Sequence, residues 1–189
     1  KFWKNKKIFI TGHTGFKGTW LCLILNLLGA KIYGYSLKPK KKSLFNETES
    51  IKILKSNCYA DVRNINKLEK ELIKSKPDII FHLAAQPLVS DSYEKPIETF
   101  QTNVVGTLNL IEATKKIRSC KSVVIVTTDK VYKINRKNKP YNENDELGGV
   151  DPYSASKACA EIVTSSLSKL HDYKNISTVR SGNVLGGGD

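Results

Sequence analysis

Apolar residues recur along the chain in short runs that alternate with longer amphipathic stretches. Three of the short runs, residues 7–11, 31–36 and 78–83, have the length and apolar character of buried strands. Residues 16–28 carry apolar side chains at helical spacing and end at Gly29, a residue type that readily adopts the left-handed conformation that closes a helix. The pattern therefore begins with a strand, a tight turn, a helix and a second strand.

The same alternation continues to the end of the chain. We expect further strands at residues 58–62, 122–127 and 176–180. We expect further helices at residues 47–56, between Asn64 and Pro77, at 96–117 and at 152–170. Strands that alternate with helices throughout indicate an α/β fold, a doubly wound parallel sheet of the Rossmann type with helices on both faces. At 189 residues, the chain is long enough for one such domain, residues 1–189.

The composition, 40% hydrophobic and 26% charged, is typical of a globular protein. No apolar run approaches the roughly 20 residues of a membrane helix, and the chain starts without the apolar centre of a signal peptide. We therefore expect no membrane partner. The four cysteines form no C-x-x-C pair, which favours reduced thiols and a cytoplasmic location. Nor does any group of His, Cys, Asp or Glu have the spacing of metal ligands, so we expect no metal.

The formal net charge of +13 raises the possibility of a nucleic-acid partner. Base readout and phosphate binding favour arginine, however, and only four of the 31 basic residues are arginines: Arg63, Arg118, Arg136 and Arg180. The lysines are spread over nearly every predicted element, and their only tight run is at 38–42. We therefore expect no nucleic-acid partner, and steep salt dependence of DNA retention would mark the alternative.

Residues 12–18 read GHTGFKG, directly after the first predicted strand and at the start of the first helix. Glycines there allow a tight turn and a close approach of a pyrophosphate, while free N–H groups at the helix start face the anion. A glycine-rich turn without a ligand is the alternative, and the spacing departs from G-x-G-x-x-G. The strand before it and the helix after it favour a dinucleotide site. The His13 side chain either touches the pyrophosphate or points to solvent.

A second motif, Tyr153 and Lys157, lies four residues apart on the predicted helix 152–170 and therefore on one helix face. A free tyrosine has a pKa near 10, and a nearby ammonium group favours the phenolate, so the pair could transfer protons near neutral pH. A solvated tyrosine and lysine is the alternative for the motif alone. Two other histidines have structural explanations: His82 ends a buried strand, and His171 lies at a helix C-terminus.

These motifs resemble the extended short-chain dehydrogenases/reductases, in the branch that acts on nucleotide-activated sugars. The resemblance covers essentially the whole chain and includes residues 61–62, 82–86, 102–107 and 180–183. Within the branch, the sequence motifs are similar to those of the 4,6-dehydratases that use CDP-glucose. The similarity is carried by GHTGFKG, by HLAAQPLV at 82–89, by TTDK at 127–130, by LGGVDPYSASK at 147–157 and by GNVLGGGD at 182–189. Related dehydratases have Glu where this chain has Lys130, and epimerases of the branch lack Asp129.

The resemblance implies NAD as the cofactor and CDP-glucose as the substrate. It implies that the cofactor is held by Gly12, His13, Thr14, Gly15, Phe16, Lys17, Gly18, Ser36, Asp61, Val62, Leu83, Ala84, Ala85, Thr102, Thr127, Tyr153 and Lys157. Substrate contacts are implied for Gln86, Val89 and Asn183. Many NAD-specific relatives have an acidic residue at the position of Ser36, and the lysines at 38–42 could accept a 2′-phosphate, so NADP is the alternative to NAD.

The resemblance also implies catalytic roles. Tyr153 would take the proton of the sugar 4-hydroxyl, with Lys157 lowering the tyrosine pKa and holding the nicotinamide ribose, while Thr128 hydrogen-bonds the 4-hydroxyl. Asp129 would protonate the departing 6-hydroxyl. Lys130 would either assist removal of the C5 proton or support the developing enolate electrostatically, since a lysine base must be neutral.

Relatives of this branch continue into a smaller C-terminal domain, so we expect the chain, which ends in Gly186, Gly187, Gly188 and Asp189, to be the N-terminal part of a two-domain enzyme. We also expect a homodimer, formed by the helices at 96–117 and 152–170. Another epimerase or dehydratase of the branch, and a non-catalytic dinucleotide-binding module, are the alternative functions.

Overall fold

A six-stranded parallel sheet organises the computed structural model, which describes residues 1–134, 140–170 and 175–188. The strands are β1 (Lys7–Thr11), β2 (Lys31–Ser36), β3 (Leu54–Tyr59), β4 (Ile79–His82), β5 (Ser122–Thr128) and β6 (Ile176–Ser181). Their order in the sheet is β3-β2-β1-β4-β5-β6, and all neighbours run parallel. The strand order reverses direction between β1 and β4, and ligands of doubly wound sheets bind at this switch point, outside the carboxyl ends of the strands.

Seven α-helices are assigned within the described ranges. They are α1 (Phe16–Leu27), α2 (Leu44–Glu47), α3 (Ile65–Ser75), α4 (Val89–Glu94), α5 (Pro96–Phe100), α6 (Gly106–Thr114) and α7 (Pro152–Leu170). A π-helical turn, Gln101–Val105, joins α5 to α6, and 3₁₀ turns occupy Ser50–Ile53 and Asp129–Val131. In the part of the chain that the structure describes, no helix has the length and apolarity to cross a membrane.

Helices cover both faces of the sheet, as predicted. Successive residues of β1 point to opposite faces, so Phe9 packs in one core and Ile10 in the other. The first core includes Leu68 of α3 and Leu110 of α6, and the second includes Leu25 of α1. The doubly wound fold expected from the alternation of strands and helices is therefore confirmed.

The prediction of a helix over residues 47–56 was wrong. The chain there forms the end of α2, a 3₁₀ turn and then β3, which begins at Leu54 and replaces the strand expected at 58–62. Glu49 has a φ of +49°, a left-handed conformation that interrupts a helix. β3 lies at the edge of the sheet with Lys55 and Tyr59 exposed, and such a strand lacks the apolar run that identified the central strands.

The helix predicted over residues 96–117 is present but interrupted, and the short helix α4 before it was not predicted. The π-helical turn places one extra residue in the helix and so rotates α6 relative to α5. Other element boundaries agree closely: Asn64 caps α3 by accepting a hydrogen bond from Lys67 N at 3.0 Å, and α7 spans the predicted 152–170. His171 lies outside the described residues.

A substitution at Gly18 tests how tightly α1 packs against the turn before it. An alanine Cβ at this position would lie 2.1 Å from the Gly12 carbonyl oxygen. Alanine normally stabilises a helix interior relative to glycine by about 1 kcal/mol. We expect Gly18→Ala instead to lower the free energy of unfolding by about 1–3 kcal/mol, because the turn and the helix must separate. Urea unfolding measures this, with Gly187→Ala as the control, because Gly187 has nothing within 4 Å of an added Cβ. A Gly18→Ala protein as stable as the parent contradicts the packing.

Candidate active site

The predicted site residues gather at one edge of the sheet. Residues 12–18 follow β1, Ser36 ends β2, Asp61 and Val62 follow β3, and residues 83–85 follow β4. Thr127 and Thr128 end β5, and Asn183 follows β6. Because all six strands are parallel, their carboxyl ends meet at the same edge, and this is where ligands of doubly wound sheets bind.

The glycine-rich turn wraps tightly against the loop after β4. Gly12 has a φ of +73°, and a Cβ there would lie 2.6 Å from Ala84 N. Gly15, by contrast, is exposed, and a Cβ there would meet only the Gly12 carbonyl oxygen, at 3.4 Å. Helix α1 starts at this point without a side-chain cap and without an acidic residue in its first turn. This open helix start therefore suits the pyrophosphate of a dinucleotide.

Of the two alternatives for the His13 side chain, pyrophosphate contact and a position in solvent, the second was wrong, because the ring is buried. The imidazole is fully buried, and its Nε2 hydrogen-bonds Asn57 Oδ1 of β3 at 2.7 Å. The ring packs over Gly34, where a Cβ would approach it to 2.7 Å, and meets the Phe45 ring edge-on. Burial lowers the pKa of His13 to about 4, so the ring is neutral. His13 thus attaches the turn to β2 and β3, and only its backbone remains as a predicted cofactor contact.

Polar groups lie at the end of β2 and just after β3. They could receive the adenosine half of a dinucleotide. Thr14 Oγ1 lies 2.8 Å from Ser36 Oγ and donates to the Leu37 carbonyl at 3.0 Å. The Asp61 carboxylate accepts hydrogen bonds from the Arg63 guanidinium, which lower its pKa. The carboxylate is therefore ionised and can accept further hydrogen bonds from a base.

Other predicted cofactor residues lie just after β3, on α1 and on the π-helical turn. Val62 is buried, and its side chain packs against Gly106. Phe16 contacts Gly186, and Thr102 is half-buried on the π-helical turn. Lys17 reaches furthest, since its Nζ donates to Ser181 Oγ at 3.2 Å. Together with the open helix start, these residues form a continuous edge that fits a dinucleotide.

Thr128 and Asp129 lie beside Tyr153. The Thr128 hydroxyl bonds the Asp129 carboxylate at 3.2 Å and lies beside the Tyr153 side chain, whose pKa it lowers. Asp129 and Lys130 are both exposed on the 3₁₀ turn after β5. Three of the predicted catalytic residues therefore come together, with Lys130 next to them in the chain.

In the structure described, Lys157 does not lower the pKa of Tyr153. Burial, with added repulsion from the carboxylates of Asp129 and Asp151, raises the pKa of Tyr153, and the hydrogen bond with Thr128 opposes this only partly. Lys157 instead donates from Nζ to the Val126 carbonyl at 3.0 Å. Burial and the nearby Lys17 ammonium lower the pKa of Lys157 to about 8, so it remains charged at neutral pH.

Asn103, on the π-helical turn, is a site component that the sequence analysis did not single out. Its amide accepts from Gln86 N at 2.9 Å, donates to the Gln86 carbonyl at 3.1 Å and donates to Ser156 Oγ at 2.8 Å. Gln86 in turn donates from Nε2 to Thr99 at 2.9 Å. Ser156 lies between Tyr153 and Lys157 on α7. The loop that carries Gln86 and leads to Val89 is thereby fixed against the helix that carries the proposed proton-transfer pair.

His82 is the buried core histidine that was predicted. Its Nδ1 lies 2.7 Å from Thr11 Oγ1 and its Nε2 lies 3.2 Å from Thr107 Oγ1. Thr107 donates its own proton to the Asn103 carbonyl, so Nε2 must carry the imidazole proton. Burial lowers the pKa of His82 to about 3. This neutral ring joins the end of β1 to the start of α6.

The fold and the site define a Rossmann-type dinucleotide-binding domain with a Tyr-x-x-x-Lys helix beside the cofactor edge. A family model described as GDP-mannose 4,6 dehydratase matches residues 9–184. The chain belongs to this family, which confirms the resemblance to the extended short-chain dehydrogenases/reductases. Within the described ranges, no group of three His, Cys, Asp or Glu side chains could hold a metal ion.

Individual relatives agree with this assignment. The chain is 46% identical to the CDP-glucose 4,6-dehydratase of Salmonella typhimurium over 100% of this chain and 55% of the relative. It is 31% identical to the CDP-paratose 2-epimerase of Salmonella typhi over 82% of this chain and 51% of the relative. The UDP-glucose 4-epimerase of Thermus thermophilus in complex with NAD superposes with a TM-score of 0.81 at 26% identity, over 95% of this chain and 56% of that structure. The chain thus spans about half the length of these relatives.

The two buried histidines make stability depend on pH in a defined window. An unfolded histidine has a pKa near 6.5, above the folded values of about 4 for His13 and about 3 for His82. Below pH 6.5 the unfolded chain therefore binds protons that the folded chain does not. We expect the free energy of unfolding to fall by about 2 kcal/mol between pH 7 and pH 5.5. Urea unfolding at both pH values tests this, and His82→Gln should lose about half of the change. A variant with the parent's full pH dependence contradicts the role of His82.

Proposed function

We propose that the whole protein is a nucleotide-sugar 4,6-dehydratase that uses NAD to convert CDP-glucose to CDP-4-keto-6-deoxyglucose, and that residues 1–189 form its NAD-binding domain. The observation that carries the proposal is the placement of the exposed Asp129 carboxyl group beside Thr128 and Tyr153 at the cofactor edge. The 46% identity to a CDP-glucose 4,6-dehydratase supports the choice of substrate.

The cofactor-binding part of the proposal uses the open edge already described. The start of α1 holds the pyrophosphate, the ends of β2 and β3 hold the adenosine, and Lys157 holds the nicotinamide ribose. NAD, when bound, supplies a hydride acceptor for C4 of the sugar and returns the hydride to C6. The NAD complex of the UDP-glucose 4-epimerase of Thermus thermophilus supports this choice of cofactor.

The first proton transfer falls to Tyr153. Its phenolate takes the proton of the 4-hydroxyl, while the Thr128 hydroxyl, which lies beside the tyrosine, turns to the same sugar oxygen. The raised pKa of Tyr153 makes the phenolate costly in the structure described. We propose that the Lys157 ammonium, one helical turn away and now bonded to Val126, turns towards the phenol to lower that cost.

The elimination of water falls to Asp129 and Lys130. The 4-ketone acidifies the hydrogen on C5, which passes as a proton to a water that Lys130 positions, and Asp129 delivers a proton to the 6-hydroxyl, which departs as water. Lys130 is exposed, so we assign it electrostatic support of the enolate rather than the role of a neutral base. An epimerase has no water to eliminate and no need of the acid, and a binding module has no need of Tyr153, Lys157 and Asp129 together.

The reaction is tested by incubating the whole protein with CDP-glucose and NAD. We expect a 4-keto-6-deoxy sugar, detected by its absorbance in alkali, and a parallel titration with NADP shows whether the lysines near Ser36 accept a 2′-phosphate. An epimerised sugar without this absorbance supports the alternative enzyme class. No change in the sugar supports the binding module.

Asp129→Asn separates oxidation from elimination. The amide keeps the size of the side chain but cannot deliver a proton, and general acid catalysis contributes about 10²–10⁴-fold. We expect water loss to slow at least about a hundredfold while oxidation at C4 continues, so that absorbance of the reduced cofactor builds up after mixing. Asp91→Asn, on α4, is the control for loss of an acid elsewhere. Water loss at the parent rate without such a build-up excludes Asp129 as the acid.

We also propose that the protein forms a homodimer through the helix that runs from α5 into α6. Ile97 and Val105 are 73% and 42% exposed there, and an open groove of about 440 Å³ is lined by Pro96, Ile97, Phe100, Gln101, Val104 and Val105. Five of these six residues are apolar, which suits a second copy of the same face.

A charge at the centre of this face tests the dimer. We expect Ile97→Asp to convert the dimer to a monomer, measured by sedimentation velocity, because an unpaired carboxylate would be buried between the two copies. Leu27→Asp is the matched control, since Leu27 is 85% exposed on α1 and away from the groove. A dimer that survives Ile97→Asp, or is lost equally in the control, contradicts this interface.

A further inference from the structure

A buried carboxylate lies one helical turn beyond Lys157. Glu161 follows Lys157 by four residues on α7, so the two side chains share a helix face, and they are only 5% and 6% exposed. Burying an ionised carboxylate is costly unless several donors compensate it. The hydrogen-bond partners of the Glu161 carboxylate therefore show which elements α7 is attached to at Glu161.

The Glu161 carboxylate is held from two strands. It accepts a short hydrogen bond from Thr127 of β5, a bond of 2.8 Å from Thr178 of β6, and a bond of 3.1 Å from the Arg180 guanidinium of β6. Burial raises the pKa of Glu161, but these three donors outweigh it and keep the carboxylate ionised. Three donors nearly fill the hydrogen-bonding capacity of a carboxylate, so its position is closely defined.

Arg180 extends the attachment to the segment that follows the 3₁₀ turn of Asp129. Its guanidinium lies 4.9 Å from the centre of the Tyr132 ring and donates to the Glu143 carbonyl at 3.1 Å. Tyr132 in turn stacks on Tyr141, with ring centres 4.6 Å apart. The ion pair of Glu161 and Arg180 therefore connects every segment that carries a proposed catalytic residue.

The geometry assigns Glu161 a positioning role: its buried carboxylate ties the ends of β5 and β6 to α7 and so fixes both the place and the charge of Lys157. The role of Lys157 itself rests on the proposed function. Glu161 was not found from the sequence, although an acidic residue four positions after Lys157, on the same helix face, is the signal that could have identified it.

The charge of Lys157 depends on groups from several elements. They are Lys17 of α1, His82 of β4 and Glu161 of α7, with Arg180 of β6 behind Glu161; Tyr153 lies one helical turn before Lys157 on α7. Burial and Lys17 lower the pKa of Lys157, whereas Glu161 raises it. His82 is neutral above pH 4, because burial keeps its pKa near 3. Of these neighbours, Glu161 supplies the negative charge that favours the ammonium.

The test is a titration of Lys157 that needs neither cofactor nor substrate. The whole protein is labelled with [ε-¹³C]lysine, and the Lys157 resonance is assigned as the one lost in Lys157→Arg. We expect Glu161→Gln, which keeps the shape but removes the charge, to lower the titration midpoint of Lys157 by about one pH unit. Glu161→Asp keeps the charge and should leave the midpoint near that of the parent. Glu112→Gln, a glutamate 52% exposed on α6, is the control for loss of a distant carboxylate.

Two results overturn the positioning role. One is a Glu161→Gln protein that is folded by circular dichroism and titrates like the parent, and the other is a midpoint that moves equally in Glu161→Asp. If Glu161→Gln unfolds at room temperature, the titration is run in the cold with trimethylamine N-oxide, which favours the folded state. In the active enzyme, the alkaline limb of kcat should move to lower pH with the Lys157 midpoint. A parent that does not turn over CDP-glucose refutes the proposed function but leaves the titration unaffected.

Discussion

The attachment of α7 to the carboxyl end of β5 is the interaction on which the site depends. Three consecutive residues make it: the Val126 carbonyl accepts from Lys157, Thr127 donates to Glu161, and Thr128 lies beside Tyr153. Because the next residue is Asp129, the same attachment sets the distance between Asp129, the proposed acid, and Tyr153, the proposed base. A parallel sheet makes this possible, since it brings the ends of β1, β4, β5 and β6 to the same edge.

The central strands and most of their helices could be predicted because burial on both faces leaves a strong apolar signal. β1 and β2 have the predicted bounds, and β5 and β6 differ from them by one residue. The edge strand β3 gave no such signal, since half of its surface is open and its place is set by pairing with β2. The π-helical turn could not be predicted either, because the i, i+3, i+4 spacing of apolar residues continues across it.

The features of the site likewise divide into those that the sequence predicts and those that it does not. Motifs of local origin, such as the glycine turn and the Tyr153–Lys157 spacing, are visible in the sequence because their residues are close in the chain. Contacts between distant segments are not: His13 meets Asn57 of β3, and Glu161 meets Arg180 of β6. The pKa of Tyr153 also depends on such contacts, and so its direction could not be derived from the spacing to Lys157 alone.

The central claim is that one cofactor at this edge serves both C4 and C6 of the same sugar. Conversion of CDP-glucose carrying deuterium at C4 tests it most directly, with the product analysed by NMR and mass spectrometry. The account predicts that the deuterium reappears at C6 of the 4-keto-6-deoxy product and that none is lost to water. Deuterium released to the solvent, or a product whose C6 carries only solvent hydrogen, would contradict it.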